Sequence, residues 1–291
     1  MSAAPSPAGD AGATPVLLHR VDGVLFATLN RPATRNALAP DVVDALAAAV
    51  DQAAADPAVR ALVLRGAGGF FCAGGNVGNF QDRLDAAPTP DAAPGTDPVA
   101  VRNRVFGRFM QRLAALPVPV VAVVEGAAMG GGMGLACAAD LVLATQDAKF
   151  ALSETQLGII PAQIAPFVVA RTGLRAATRM GLTGERASGA LAERLGLVDA
   201  LAADRAALDA LLAQWLSRIC ACAPGANRTL KPLLRRCGRE DEAALLDDAA
   251  RLFAACMRDE GTEGIAAFRA KRAPAWARRF AASDLPTDTL P

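Results

Sequence analysis

Two glycine-rich breaks in the sequence could hold a negative charge with backbone groups. The first, Gly126–Gly134, follows the apolar stretch Val118–Val124 and begins a predicted helix of small residues. The first amides of a helix have no partner inside it and the helix dipole is positive there, so an anion is stabilised. Leu135 stands where a GxGxxG fingerprint requires glycine, and no lysine follows as in a P-loop. An oxyanion site and a tight, closely packed turn both fit this run.

The second break, Phe71–Asn76, follows the predicted buried strand Ala61–Leu64. If both strands belong to one parallel sheet, their carboxyl ends lie at the edge where ligands of open α/β sheets bind. Two converging N–H groups stabilise an enolate or a tetrahedral oxyanion, and one such donor typically contributes about 3 kcal/mol. Alone this break could be a simple turn, but the two breaks together indicate an oxyanion site.

Glu154 is a carboxylate in an otherwise apolar stretch, Phe150–Pro161. Burial raises the pKa of a carboxyl group and lets it donate and accept protons near neutrality. The alternative is a structural role, in which Glu154 caps the backbone at the start of a helix.

Composition argues against several other kinds of site. The 291 residues include one histidine, His19, in a predicted edge strand where it should be solvated, no tyrosine and three lysines. Catalytic triads, His-ligated metal sites and Schiff-base chemistry therefore have few candidate residues, and no metal site is expected.

The net charge of +1 argues against nucleic-acid binding. Six cysteines without a CxxC pair are typical of a cytoplasmic protein, and Glu125 interrupts the most membrane-like segment, Val118–Ala139, so no membrane contact is expected.

The remaining pattern alternates strands with helices, which predicts a largely parallel sheet. Residues 1–15 are expected to form a disordered tail, residues 16–200 an α/β core, and residues 201–291 a helical region. From about Thr172 onward only helices are predicted. The predicted strands are Val16–His19, Val24–Leu29, Ala61–Leu64, Val118–Val124, Leu141–Ala144 and Lys149–Leu152. The predicted helices are Ala39–Asp56, Val99–Leu116, Leu174–Leu182, Ala187–Leu195, Ala206–Ala221, Ala243–Arg258 and Glu263–Arg272. A polar loop is predicted over 78–98.

The sequence resembles the crotonase superfamily, the enoyl-CoA hydratase/isomerase family. The resemblance covers about residues 16–277 and rests on Asn30–Leu38, Phe71–Asn76, Gly126–Asp140, Glu154–Pro161 and the tail segment Glu260–Lys271. It implies a crotonase-like repeated ββα core with a helical C-terminal region for oligomerisation and coverage of coenzyme A. It also implies a homotrimer or a dimer of trimers.

The resemblance also implies roles for individual residues. The amides of Gly75 and Gly131 would hold the thioester oxygen of an acyl-CoA substrate, and Glu154 would transfer protons. Coenzyme A would be part of the substrate, with no separate cofactor. The residues implied in substrate and coenzyme A binding are Ala33, Arg35 (near the phosphates), Ala37, Ala73, Gly74, Asn76, Gly130, Gln163, and Phe268 with Lys271 near the adenine.

The sequence departs from the family pattern at Gly134, where typical hydratases have the first of two glutamates. Glu154 would then act alone, as in the family's isomerases, or position water together with a carboxylate of the substrate or another polar side chain. The candidates for that side chain are Asn76, Gln156 and Gln163, of which Gln163 is preferred. The stretch Leu152–Phe167 resembles glutaconyl-type hydratases, which act on branched enoyl-CoA esters in leucine or acyclic terpene breakdown. The expected activity is hydration of a branched or carboxylated 2-enoyl-CoA. The alternatives are a Δ3-Δ2 enoyl-CoA isomerase and a non-catalytic acyl-CoA-binding homologue.

Overall fold

The computed structural model describes residues 13–75 and 97–287. The predicted tail up to residue 12, most of the predicted 78–98 loop and the candidate site residue Asn76 lie outside the described residues. The strands are β1 (Val16–Val21), β2 (Val24–Leu29), β3 (Ala61–Gly66), β4 (Val120–Val124), β5 (Ala127–Met129), β6 (Leu141–Thr145), β7 (Lys149–Ala151), β8 (Ala187–Ser188) and β9 (Ala200–Ala202). The helices are α1 (Pro40–Ala55), α2 (Pro98–Ala115), α3 (Gly131–Ala138), α4 (Ala165–Thr183), α5 (Gly189–Arg194), α6 (Arg205–Ala221), α7 (Pro224–Arg236), α8 (Glu242–Arg258) and α9 (Glu260–Arg269).

The main sheet has six strands in the order β1-β2-β3-β4-β6-β9. Only β1 is antiparallel to its neighbour, so the predicted α/β class with a largely parallel sheet is confirmed. The strand β1 lies at the edge, as predicted. His19 on this strand is half-buried rather than solvated, and its Nδ1 is buried without a hydrogen-bond partner.

A second sheet of three short strands, β5-β7-β8, lies beside the first. Its strand β5 divides the glycine run Gly126–Gly134, which was predicted to pass directly from β4 into a helix. The prediction of helices alone after Thr172 is wrong at β8 and β9. Both strands are two or three residues long and rich in alanine, so they lack an alternating apolar pattern.

The central strands of the main sheet are buried on both faces, which explains why β4 and the Ala61–Leu64 part of β3 are continuous apolar runs. In β3, Leu62 and Leu64 face the core that includes α1, α2 and α3, whereas Ala61 and Val63 face the core that includes α6. This alternation follows from the two-residue period of a strand. The parallel strands therefore form a rigid support whose carboxyl ends point to one edge.

Helix α7 lies at the opposite, amino-terminal ends of the strands. Arg228 donates hydrogen bonds to the carbonyl oxygens of Asp56 and Val59, just before β3, and Lys231 Nζ donates to Val118 O before β4. Burial lowers the pKa of Lys231. The sequence pattern missed α7, which contains Pro232 and is polar over much of its length.

Within the described residues, no single helix is both long and apolar enough to cross a bilayer. Among the described helices, only α6 and α7 counted as one segment have the length and composition of a membrane span, and they are bent by 96° at their junction.

Candidate active site

The buried side chain of Asn36 fixes the loop before α1 to the end of β3. Its Oδ1 accepts a hydrogen bond from Arg31 N at 2.8 Å, and its Nδ2 donates to Ala67 O and Phe70 O. Asn36 also has a φ of +56°, a backbone region that asparagine tolerates better than most residues. The sequence motif contained this residue, but its positioning role was not predicted.

From this anchored loop, backbone hydrogen bonds lead to the second glycine-rich break, Phe71–Asn76. Ala73 N donates to Arg35 O at 2.9 Å, and Leu38 N donates to Gly74 O at 2.8 Å. Phe71 and Cys72 donate to the carbonyl oxygens of Glu125 and Ala127. The two predicted glycine breaks are thus joined strand to strand, as the sequence argument required.

Gly75 and Gly131 lie side by side where these segments meet. A Cβ built on Gly131 would lie 3.8 Å from the amide nitrogen of Gly75, and one on Gly74 would lie 3.3 Å from the amide nitrogen of Gly131. Gly131 is the first residue of α3, so its N–H has no acceptor inside the helix. No described residue accepts a hydrogen bond from either amide. The pair can therefore stabilise one shared oxyanion.

Only glycine fits at position 74 in this arrangement. Its φ is +87°, and a Cβ would lie 2.5 Å from the carbonyl oxygen of Met129. A side chain there would be strained and would push the two amides apart.

The Glu154 carboxylate lies against Gly130, the residue before Gly131. A Cβ built on Gly130 would be only 2.9 Å from Glu154 Oε1, so the absence of a side chain at Gly130 makes room for the carboxylate. Glu154 begins the 3₁₀ turn Glu154–Leu157, and the next residue fixes this turn to α4 because Thr155 Oγ1 donates to Gly181 O at 2.8 Å.

The carboxyl group of Glu154 is free to exchange protons. Oε2 is buried and has no hydrogen-bond partner. Burial raises the pKa of Glu154 above its ordinary value of 4.5, an effect partly opposed by a hydrogen bond from its own backbone. The carboxylate is thus suited to accept and return a proton.

A cavity of about 300 Å³ opens beside these groups. Among the predicted site residues, it brings together Glu154, Gly75, Gly131, Ala73, Gly74, Gly130 and Gln163. Its wall is completed mainly by apolar side chains from three regions: α1, α2 and the segment 157–164. In the described part of the chain, no group of three or more His, Cys, Asp or Glu residues could hold a metal ion.

Gln163 and Gln156 were both candidates for positioning water, and the structure separates them. Gln163 lines the cavity, and its side chain lies against α2, where a Cβ on Gly107 would be 1.8 Å from Gln163 Oε1. Gln156 packs instead against Gly184 and is not part of the cavity wall. The 3₁₀ turn that starts at Glu154 directs the two glutamines to different places.

The predicted coenzyme A contacts near the first loop lie outside the cavity but adjoin it. Ala33, Arg35 and Ala37 are on the loop joined to Ala73 by a backbone hydrogen bond. The Arg35 guanidinium lies 5.8 Å from the centre of the Phe70 ring. The side chain of Arg35 is exposed.

Phe268 and Lys271 are not brought to this cavity. Phe268 is 85% exposed at the end of α9. The first residue of α9, Glu260, accepts hydrogen bonds from Gly225 N and Ala226 N at the start of α7. This helix therefore lies with α7 toward the amino ends of the strands, away from the site in the same chain.

The comparisons identify the family. The model of the enoyl-CoA hydratase/isomerase family matches residues 19–279. The chain belongs to this family. A solved enoyl-CoA hydratase/isomerase from Marinobacter aquaeolei superposes with a TM-score of 0.86 at 44% identity, covering 91% of this chain and 100% of its own. AtuE of Pseudomonas aeruginosa gives a TM-score of 0.85 at 46% identity, with the same coverage. The predicted crotonase fold is confirmed.

Relatives in the family include enzymes that carry out different reactions. The 1,2-epoxyphenylacetyl-CoA isomerase of Escherichia coli strain K12 is 32% identical over 89% of this chain and 97% of its own length. The 2,3-dehydroadipyl-CoA hydratase of the same strain is 32% identical over the same shares. This family member is thus an acyl-CoA enzyme of the hydratase/isomerase type.

Proposed function

We propose that the enzyme adds water to a 2-enoyl-CoA and forms a 3-hydroxyacyl-CoA. The observation that carries the proposal is that Glu154, a carboxyl group with a raised pKa, lines the same cavity as Gly75 and Gly131, whose amides lie side by side. Coenzyme A is part of the substrate, and the reaction as proposed uses no other cofactor.

In this reaction the thioester oxygen accepts hydrogen bonds from the two amides. Ionised Glu154 removes a proton from water while the water oxygen bonds to C3, and the electron pair of the C2–C3 double bond moves onto the thioester oxygen as an enolate. Protonated Glu154 then donates its proton to C2 and the thioester carbonyl is restored. One carboxyl group thus performs both transfers, which requires a pKa that permits both directions.

A second polar group is needed to orient the water. We assign this role to Gln163, which lines the cavity together with Glu154. An amide can donate one hydrogen bond to the water oxygen and accept one from its hydrogen. It can therefore hold water without a second carboxylate.

The proposed substrate class is a branched or carboxylated 2-enoyl-CoA. The hydratase relative named above is described as acting on 2,3-dehydroadipyl-CoA, an unsaturated acyl group of a dicarboxylic acid. The apolar cavity wall and the glutaconyl-type sequence features in 152–167 support the same class.

The test is to incubate the enzyme with crotonyl-CoA, 3-methylglutaconyl-CoA and isohexenylglutaconyl-CoA. Hydration is measured as the loss of absorbance of the conjugated thioester. Reaction in H₂¹⁸O should place the heavy oxygen on C3 of the product. Unchanged absorbance with all three thioesters would contradict the proposal.

The second candidate is a double-bond isomerase, favoured by glycine at position 134, where a hydratase with two glutamates would have the first, and by the isomerase relative. Such an enzyme would convert a 3-enoyl-CoA to a 2-enoyl-CoA without uptake of oxygen from water. Mass spectrometry of the product in H₂¹⁸O distinguishes the two reactions.

We also propose that the enzyme acts in the cytoplasm as a homotrimer or a dimer of trimers. The C-terminal helices expose several large apolar side chains, including Leu234, Leu246, Phe253 and Phe268. A neighbouring copy would cover these side chains and could bring Phe268 and Lys271 to its own bound coenzyme A. Sedimentation equilibrium showing a stable monomer would contradict this assembly.

A further inference from the structure

The cavity contains one positive side chain that the proposed reaction does not use. Among the cavity-lining residues, the charged ones are Glu154, Asp44 and Arg102. Glu154 has the proton-transfer role, and Asp44 lies on α1. Arg102 lies in the second turn of α2, and Val105 and Phe106, three and four residues later on the same helix face, also line the cavity.

No described residue forms an ion pair with Arg102 or accepts a hydrogen bond from its side chain, whereas two other arginines of α2 have side-chain partners. Arg112 is paired with Asp51, and Arg104 Nη2 donates to Gln111 Oε1 at 2.7 Å. Asp44 shares the cavity with Arg102 but forms no salt bridge with it. Arg102 is exposed to solvent, so its guanidinium can receive a ligand without first breaking a contact.

The surroundings of Arg102 favour an acyl chain with an acidic end. Val105, Leu157 and Ile160 supply apolar surface in the same cavity. A guanidinium offers paired N–H donors that match the two oxygens of a carboxylate. Coenzyme A phosphates are expected on the other side, near Arg35, where the loop adjoins Ala73.

We propose that Arg102 binds a carboxylate at the distal end of the acyl chain and thereby selects carboxylated over uncharged thioesters. This inference rests on the proposed function, because it assigns the substrate class of the same site. Arg102 is a specificity-determining residue in this view and does not touch the reacting carbons. Asp44 would weaken the attraction, since its negative charge faces the same space.

The experiment compares two thioesters that differ only in the carboxylate, 3-methylglutaconyl-CoA and 3-methylcrotonyl-CoA. Arg102→Gln should lower kcat/KM for the carboxylated ester by about 10- to 100-fold, mainly through KM, as expected for loss of a hydrogen bond to a charged group. The uncharged ester should change by less than about twofold, and Arg102→Lys should retain part of the preference. Asp44→Asn should shift the preference in the opposite direction.

Arg108→Gln is the matched control, because Arg108 is exposed on the same helix and does not line the cavity. It should leave both esters unchanged. Equal losses on both esters with Arg102→Gln would overturn the inference, since they would place Arg102 against the coenzyme A moiety. Unchanged rates on both esters would overturn it as well.

A binding measurement separates failure of this inference from failure of the proposed reaction. If the unaltered enzyme hydrates neither ester and also leaves crotonyl-CoA and isohexenylglutaconyl-CoA unchanged, the reaction proposal fails. Calorimetry with saturated 3-methylglutaryl-CoA and isovaleryl-CoA still tests Arg102. Arg102→Gln should weaken binding of the carboxylated thioester alone. Equal affinities before and after the change would overturn the assignment of Arg102.

Discussion

The side chain of Ile164 occupies the space that any side chain at Gly134 would need. A Cβ built on Gly134 would lie 2.3 Å from Cγ2 and 2.7 Å from Cβ of Ile164. Ile164 is buried and precedes α4, while Gly134 is a buried residue within α3. The packing of Ile164 against α3 therefore leaves no space for a side chain at position 134. A simple replacement of Gly134 by glutamate cannot supply the first glutamate of the family pattern.

Gly134→Ala should destabilise the fold by about 1–3 kcal/mol, because overpacking forces Ile164 to move. The double variant Gly134→Ala with Ile164→Ala should be more stable than the sum of the single effects predicts, since the truncated side chain leaves room for the new methyl group. Urea unfolding of the four proteins in this cycle gives the coupling energy. Strict additivity would show that the two positions do not compete for space.

Gly181→Ala in α4 is the matched control for this cycle. A Cβ there would meet only Leu152 Cδ1, at 3.8 Å, which is an ordinary contact. Alanine is about 0.5–1 kcal/mol more favourable than glycine within a helix, so this variant should be neutral or more stable.

Glu154→Gln should abolish most of the turnover. General acid–base catalysis by a positioned carboxyl group typically contributes about 10²–10⁴-fold, and glutamine cannot transfer the proton. Affinity for a saturated acyl-CoA should change little, because glutamine keeps the shape of the side chain. Steady-state kinetics and calorimetry separate these effects, and full activity of the variant would remove Glu154 from the mechanism.

Stability should depend on pH through the same residue, with a definite sign. Burial raises the pKa of Glu154 in the folded protein above 4.5, so the folded state binds its proton more tightly than the unfolded state. The stability that the protonated Glu154 carboxyl contributes is fully present below pH 4.5 and is lost as the pH rises through the pKa of Glu154 in the folded protein. Glu154→Gln should therefore gain stability relative to the unaltered enzyme with increasing pH.

Thermal unfolding of both proteins from pH 4 to pH 9 measures this difference. The gap between their melting temperatures should widen with pH and then become constant. A gap that is independent of pH would mean that Glu154 has the same pKa in the folded and unfolded states.

The strands that support the site could be predicted because they are apolar on both faces. Burial on both sides makes β4 and the Ala61–Leu64 part of β3 continuous runs of valine, leucine and alanine, and a glycine-rich segment follows each run. Glu154 stood out for a related reason, since a carboxylate is unusual within an apolar stretch. These features depend on local sequence alone.

The remaining features depend on contacts between residues far apart in the chain. The close packing of Ile164 against Gly134 involves positions 30 residues apart, and no local sequence pattern encodes it. Gln156 and Gln163 are equally polar in the sequence, and only the path of the backbone after Glu154 places one of them in the cavity. Strands β8 and β9 owe their pairing to neighbours already fixed in the sheets.

Asn36→Ala should destabilise the loop that carries Arg35 and Ala37. The change leaves the carbonyl oxygens of Ala67 and Phe70 and the amide of Arg31 without this partner, at a cost of about 2–3 kcal/mol. Asn30→Ala is the control, because Asn30 makes one exposed hydrogen bond to Thr14 O and should cost much less. Chemical denaturation compares the two, and equal losses would show that Asn36 has no special structural role.

Gly107→Ala tests the positioning role of Gln163 from α2, against which the Gln163 side chain packs. The new methyl group would overlap Gln163 Oε1, and a flexible glutamine can turn away at little cost in stability. If Gln163 orients water, kcat should fall while KM and the melting temperature change little, and Gln163→Ala should cause a comparable loss. The isomerisation of a 3-enoyl-CoA needs no water, so any such activity should survive both changes. Unaltered hydration in both variants would assign the orientation of water to another group.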